Sequence, residues 1–313
     1  MKASVIYQYG GAEVIQYEEV PMPTINEDDV LIKVAATSFN PVDSLIRSGA
    51  FQGTLKLELP YTLGSDVAGV VEQVGGSVNN FQVGDRVYAY VDRSRNGGAA
   101  EYVACKASIV AHVPSSIPLS DAAALPLVAS TAWQGLFVHG NLQKGQRVLI
   151  TAAAGGVGSI AVQLAKWKEA HVIGTASQRS FDVLHTLGVD ELIDYKKESA
   201  IDVVKEPVDL IFNLSPADTL EVNKLLRLLK PGGRLVSAAK PADAQEAERL
   251  GVNAIRMGSQ RSAEHLTEIA KLVDEGMVKP FITERLPISE TAQAHKKLGQ
   301  NNGKILLIAD SEV

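Results

Sequence analysis

Short apolar runs, split by Gly, Pro, Asn and Asp, dominate the first third of the chain. VLIKVAA (30–36), VAGVVEQV (67–74), DRVYAY (85–90), EYVAC (101–105) and SIVAHVP (108–114) are rich in Val, Ile and Tyr. Runs of this length between turn residues predict strands. Many short strands with no long helix between them predict an antiparallel or mixed β domain, barrel-like in form.

The pattern changes after residue 120. Ser120 and Asp121 can cap a helix over 121–140, interrupted by Pro126 and closed by Gly140. Strand and helix patterns then alternate. Strands are predicted at 147–152, 171–177, 191–195, 208–214, 234–239 and 252–257, and helices at 157–170, 180–188 and 218–230, the last stopped by Pro231-Gly232-Gly233. This β-α-β alternation predicts a parallel, doubly wound sheet. The tail reads as a helix at 262–276, a short helix at 288–299 and a closing strand at 303–310. No internal repeat is visible.

Composition narrows the class. At 46% hydrophobic and 21% charged, the chain is ordinary for a globular protein and unlike a disordered one. A net charge of −6 argues against a general nucleic-acid or anionic-membrane binder. No apolar stretch is long enough for a membrane span, so none is expected. Cys105 is the only cysteine, which excludes an intramolecular disulfide and a multi-thiolate zinc site. The N-terminal MKASVIYQYGGAEV has no apolar signal core, and with the single thiol this gives an expectation of the reducing cytosol.

The strongest local signal is RVLITAAAGGVGSIAVQLAK (147–166), where an apolar strand runs into a glycine-rich turn that opens an amphipathic helix. That context makes a dinucleotide fingerprint credible. Ala154, Gly155, Gly156, Val157 and Gly158 would cradle a pyrophosphate on the helix N-terminus, although the first Gly of the strict motif is replaced by Ala153. NAD binders place an acid at the end of the second strand to hold the ribose 2′-hydroxyl. Here that strand ends GTASQRS, and Ser177 and Arg179 suit a 2′-phosphate instead. The expected cofactor is therefore NADP(H).

SFNPVDSLIRSG (38–49), LPYTLGSDVAGVV (59–71), VGDRVYAY (83–90), GGAAEYV (97–103), LPLVASTAWQGL (125–136), AAAGGVGSIAVQLAK (152–166), TASQRS (175–180), LGVDELIDY (187–195) and the terminal ISETAQAHKKL…GKILLI (288–308) follow one another in order. This series resembles the zinc-less medium-chain dehydrogenase/reductase family, in its quinone oxidoreductase (zeta-crystallin) and alkenal/enone reductase group. The resemblance implies a GroES-like β-barrel catalytic domain with an inserted Rossmann domain: 1–122 and 263–313 for the first, 123–262 for the second. It implies hydride transfer from NADPH to a quinone or an α,β-unsaturated carbonyl without zinc, because the metal-ligand positions of zinc relatives fall on Asn40 or its neighbours and on Ser65.

The resemblance also assigns roles. Asn40 and Asp43 match residues that border nicotinamide and substrate. Thr131 matches a contact to the nicotinamide ribose or phosphate. Tyr195 and Lys304 match residues near the cofactor, although each reads equally well as structural. No single proton donor is dictated: Tyr61, Asp66 and Tyr88 are candidates by position, with solvent as the other source. Relatives pair the edge strand around 252–257 across a two-fold, which implies a homodimer. Three other readings stay open: an NADPH-binding crystallin-like or sensor protein with little turnover, a stand-alone enoyl-thioester reductase, and a zinc alcohol dehydrogenase disfavoured by the missing Cys/His set.

Overall fold

The structure, a computed structural model, describes residues 1–300 and 302–309. It divides into two compact units. The first comprises Met1–Leu127, Arg261–Gly276 and the segment from Pro280 onward; the second comprises Val128–Gln260 and Met277–Lys279.

The first unit is built on strands β1 (Lys2–Ile6), β2 (Ile15–Glu19), β3 (Asp29–Phe39), β4 (Tyr61–Thr62), β5 (Asp66–Val74), β6 (Arg86–Tyr90), β7 (Tyr102–Lys106) and β8 (Val110–His112). The second unit supplies β9 (Arg147–Ile150), β10 (His171–Ala176), β11 (Glu191–Asp194), β12 (Val208–Asn213), β13 (Leu229–Ser237) and β14 (Asn253–Arg256). The chain then returns to the first unit with β15 (Ile282–Pro287) and β16 (Lys304–Ile308). Asp310, the last residue of the expected closing strand, lies outside the described residues.

In the first unit β2-β1-β4 form a small antiparallel sheet, and β15-β16-β3-β5-β6-β8 form a larger one in which β7 also pairs with β3. β3 is the organising strand. Nearly every residue of DVLIKVAATSF is buried, because β5 flanks one edge while β7 and then β16 share the other. Val30, Ile32 and Val34 enter one apolar core with Val67, Val71, Val87, Val103 and Ile305. Solvated β15 shows the opposite signature, a strict alternation of exposed and half-buried positions.

The second unit holds a wholly parallel sheet in the order β11-β10-β9-β12-β13-β14. Leu149, Ile173, Ile211 and Leu235 lie side by side in register across its four central strands and form the buried spine of one face. The strand order reverses between β9 and β12, so the crevice at their carboxyl ends is the topological switch point.

Several boundaries differ from expectation. A helix occupies Pro41–Arg47, where the apolar pattern predicted no element: Asn40 stands at its cap, with Asp43 accepting from the Asn40 backbone N–H at 2.9 Å. Pro is well suited to the first helical position, so Pro41 starts a helix here rather than a bend. The helix expected over 218–230 spans only Thr219–Leu225 plus one tighter turn to Leu228. Leu229 already pairs with Val208, and an irregularity in register absorbs Pro231-Gly232-Gly233 inside β13. The helix expected over 121–140 is three pieces: Leu119–Ala122, Pro126–Trp133, and a wider π-type turn over Gln134–His139.

Candidate functional site

The glycine-rich turn leaves β9 and enters the helix Gly156–Trp167. It is held to the neighbouring strand by backbone bonds: the Ala152 N–H donates to Thr175 Oγ1 at 3.2 Å and the Ala153 N–H to the Thr175 carbonyl at 3.0 Å. Ala152 takes a left-handed conformation (φ +50°) that costs an alanine about 1 kcal/mol or more. A Cβ on Gly158 would stand 2.4 Å from the Ala152 carbonyl oxygen, so only glycine lets the helix approach the turn this closely. No acid lies in the first turn, and Gly155 at the cap has no side chain to occupy the helix N–H groups. Those groups and the dipole are thus left for an anion, and the cradle fits a pyrophosphate.

The same sheet edge gathers the residues expected at the 2′ position. Ser177 follows β10 and is buried, while Arg179 is exposed in the turn Gln178–Ser180. Tyr195 follows β11 and is 61% exposed, with its N–H donating to the Ala176 carbonyl at 3.3 Å. Sequence reasoning missed Lys197, whose ammonium reaches Gln178 Oε1 at 2.8 Å and adds a second cation to this corner. Thr131 is buried in the helix Pro126–Trp133.

It also missed a polar layer at the switch point. Thr151 donates to Asn213 Oδ1 (2.8 Å) and accepts from the Leu214 and Ser215 N–H groups (2.8 and 3.1 Å). Asn213 Nδ2 in turn donates to Ser237 Oγ at 3.0 Å. These residues end three apolar strands in a polar side chain, a signal that the sequence does carry.

The first unit contains a second, fully buried cluster. Asp66 Oδ2 accepts from Ser38 Oγ (2.5 Å) and Asn40 Nδ2 (2.7 Å), and lies 3.5 Å from the Lys304 ammonium. Asp66 Oδ1 accepts from the Leu127 N–H at 2.7 Å, at the start of the helix Pro126–Trp133. Lys304 also donates to Asn40 Oδ1 (2.6 Å) and to the Phe39 carbonyl (3.1 Å). The three bonds of its ammonium therefore all end inside this cluster, the structural of the two roles open to it. Asp43 lies beside it, accepting from Ser65 Oγ at 2.5 Å. Asn40, which the resemblance sets at or beside one metal-ligand position of zinc relatives, and Ser65, set at the other, thus both bond to Asp43. Among the described residues no group of His, Cys, Asp and Glu could hold a metal ion.

Burial sets the electrostatics. Desolvation pushes the Asp43 carboxyl up to about 6, opposed by its bonds from Ser65 and Asn40. Desolvation lowers the Lys304 ammonium from its ordinary value, opposed by Asp66 and Asp43. Tyr61, which donates to the Arg93 carbonyl at 3.2 Å, and Tyr88, which donates to the Leu266 carbonyl at 2.6 Å, are both pushed far above the ordinary phenol range by burial. Both phenols are therefore poor proton donors. Cys105 is buried on β7 with its thiol pushed up to about 12, so it is inert at neutral pH.

Comparison with known proteins adds the following. Residues 26–115 match the alcohol dehydrogenase GroES-like domain, and residues 187–307 match the domain described as zinc-binding dehydrogenase. The chain is 35% identical to the chloroplastic NADPH-dependent alkenal/one oxidoreductase of Arabidopsis thaliana, over 98% of this chain and 79% of that protein. It is 34% identical to the quinone oxidoreductase of Mus musculus, over 97% of this chain and 96% of that one. The solved quinone oxidoreductase of Coxiella burnetii superposes with a TM-score of 0.90 at 31% identity, covering 98% of this chain and 99% of that one.

Proposed function

The chain belongs to the medium-chain dehydrogenase/reductase family, in the branch that holds quinone and alkenal/one oxidoreductases, and from that premise we propose that it is an NADPH-dependent reductase of quinones or α,β-unsaturated carbonyls. The observation that carries the reading is the phosphate cradle of the second unit together with a second-strand end that offers Ser177 and Arg179 in place of an acid. Bound NADPH supplies the hydride.

The residues of this chain bind and orient. The N–H groups of Ala154–Gly158 other than Gly155, whose N–H donates to the Ala152 carbonyl, hold the pyrophosphate, Ser177 and Arg179 the 2′-phosphate, with Tyr195 packed alongside and Thr131 on the nicotinamide side. Asn40, Asp43 and Tyr61 are assigned to the acceptor end of the reaction. Both Asp43 oxygens accept internal bonds, from Asn40 and Ser65, and burial raises Tyr61 far above the ordinary phenol range, so solvent is the proton source in this reading. The reaction runs without zinc in this reading, supported by Asn40 and Ser65 standing where ligands would be required. We also propose a homodimer joined through β14, an edge strand with β13 as its one neighbour in the sheet, and a cytosolic location suited to a protein with one buried thiol.

The test is steady-state oxidation of NADPH and NADH with phenanthrenequinone, benzoquinone and a short enone, alongside metal analysis. Turnover with NADPH and weak turnover with NADH are expected. Tight NADPH binding with no turnover, or one tightly held zinc per chain, would contradict the reading.

A further inference from the structure

Lys304 is 3% exposed, Asn40 1% and Asp66 fully buried, yet Lys304 lies 264 residues from Asn40 and 238 from Asp66 in sequence. An ammonium only donates and an ionised carboxylate only accepts. Asn40 sits between them, with its Oδ1 on Lys304 at 2.6 Å and its Nδ2 on Asp66 at 2.7 Å. The alternative amide orientation would set Nδ2 against an ammonium and Oδ1 against a carboxylate, and both contacts would be repulsive. The pair therefore fixes which way the Asn40 amide faces. The second Nδ2 hydrogen reaches the Ser38 carbonyl at 3.3 Å.

The consequences extend past Asn40. Its backbone N–H is bonded to Asp43, so the same residue also holds one oxygen of the Asp43 carboxylate. The other oxygen of Asp66 holds the Leu127 N–H and so the first turn of the helix that carries Thr131. One buried pair thus ties the end of β3, the start of β5, the start of β16 and the start of that helix. Buried ion pairs are often replaceable by hydrophobic pairs of similar volume at no cost in stability, so burial alone does not account for these charges.

We propose that Lys304, paired with Asp66, is a positioning residue for the reduction, acting through the orientation of the Asn40 amide. The inference rests on the oxidoreductase reading above. Lys304 touches neither cofactor nor acceptor in this account. Its removal should lower turnover and leave NADPH binding by the second unit intact.

The test is a double-mutant cycle on the full chain with Lys304→Met, Asn40→Ala and the double variant, together with Lys304→Arg. Each is read by kcat, KM for the quinone, NADPH dissociation constant by fluorescence, and thermal midpoint. Lys304→Met is expected to lower kcat about tenfold or more while the NADPH dissociation constant stays within about threefold. In the Asn40→Ala background the same substitution should cost little more, because the two act as one unit. Lys304→Arg should recover part of the loss. A folded Lys304→Met enzyme with wild-type kcat, or losses that simply add in the double variant, would overturn the inference. If Lys304→Met fails to fold, the neutral pair Asp66→Asn/Lys304→Met removes the unpaired charge, and the same kcat loss is expected of it; wild-type kcat in that variant overturns the inference too. A wild-type chain that reduces no acceptor sinks the oxidoreductase reading itself, an outcome distinct from an active Lys304→Met variant.

Discussion

Arg179 stands in the turn after β10 where an NAD binder would carry an acid. A charge-assisted bond of this kind contributes roughly 1.5–3 kcal/mol. Arg179→Ala should therefore raise the KM for NADPH by about tenfold to a hundredfold and leave the weaker NADH reaction nearly unchanged, as checked by initial rates with each cofactor. Asp43 gives a pH prediction. Its carboxyl is raised to about 6 in the folded chain, against about 3.9 unfolded, so the folded state binds more protons across that window. Stability from this group is therefore highest below the unfolded value and falls as pH rises towards 6, by on the order of 3 kcal/mol. Denaturant titrations of Asp43→Asn should lack that fall, and the difference between the two proteins should open between about pH 4 and pH 6. His295, lowered to about 3 by burial with neighbouring Arg47 adding to it, works in the opposite sense. Its contribution is present when the ring is neutral and is lost as pH falls below the ordinary imidazole value.

At the scale of elements, the phosphate turn is the most exacting. A Cβ at Gly158 meets a backbone oxygen rather than a movable side chain. Gly158→Ala should cost about 1–3 kcal/mol in chemical denaturation and weaken NADPH binding, because the helix must back away from the turn. The parallel strands and the helix Gly156–Trp167 were legible as apolar runs cut by glycine, since burial on both faces leaves that mark. The helix Pro41–Arg47 was not: seven residues are too few to show a helical period, and NPVD reads equally as a turn. The end of the helix at Leu225 was also hidden. Its apolar spacing continues through Leu228 and Leu229, which are buried instead in the tighter turn and in the first residue of β13.

At the scale of the molecule, the fingerprint residues were legible because they are local, within one strand-turn-helix and the strand beside it. The cluster of Asp66, Asn40 and Lys304 was not, because no sequence pattern links residues that far apart; it needs β16 laid antiparallel on β3, with Ile305 opposite Phe39. The same reach explains why the bonds of Lys304 to Asn40, Phe39 and Asp66 could not be read from GK alone. The edge strand β14 makes a prediction at this scale. Ala254→Pro would remove a backbone donor from its outer edge, since the alternate residues Ile255 and Met257 bond inward to β13, so sedimentation at micromolar concentration should find a dimer for the wild type and monomer for the variant. The central claim is that the chain moves a hydride from NADPH to an electrophilic acceptor. Its most direct test is single turnover with NADPH deuterated at nicotinamide C4 and a short enone, followed by mass spectrometry of the product. Deuterium from one face of the nicotinamide should appear at the β-carbon of the saturated ketone, with the α-hydrogen taken from solvent. A product carrying no deuterium from either face, or no product while NADPH stays bound, would contradict it.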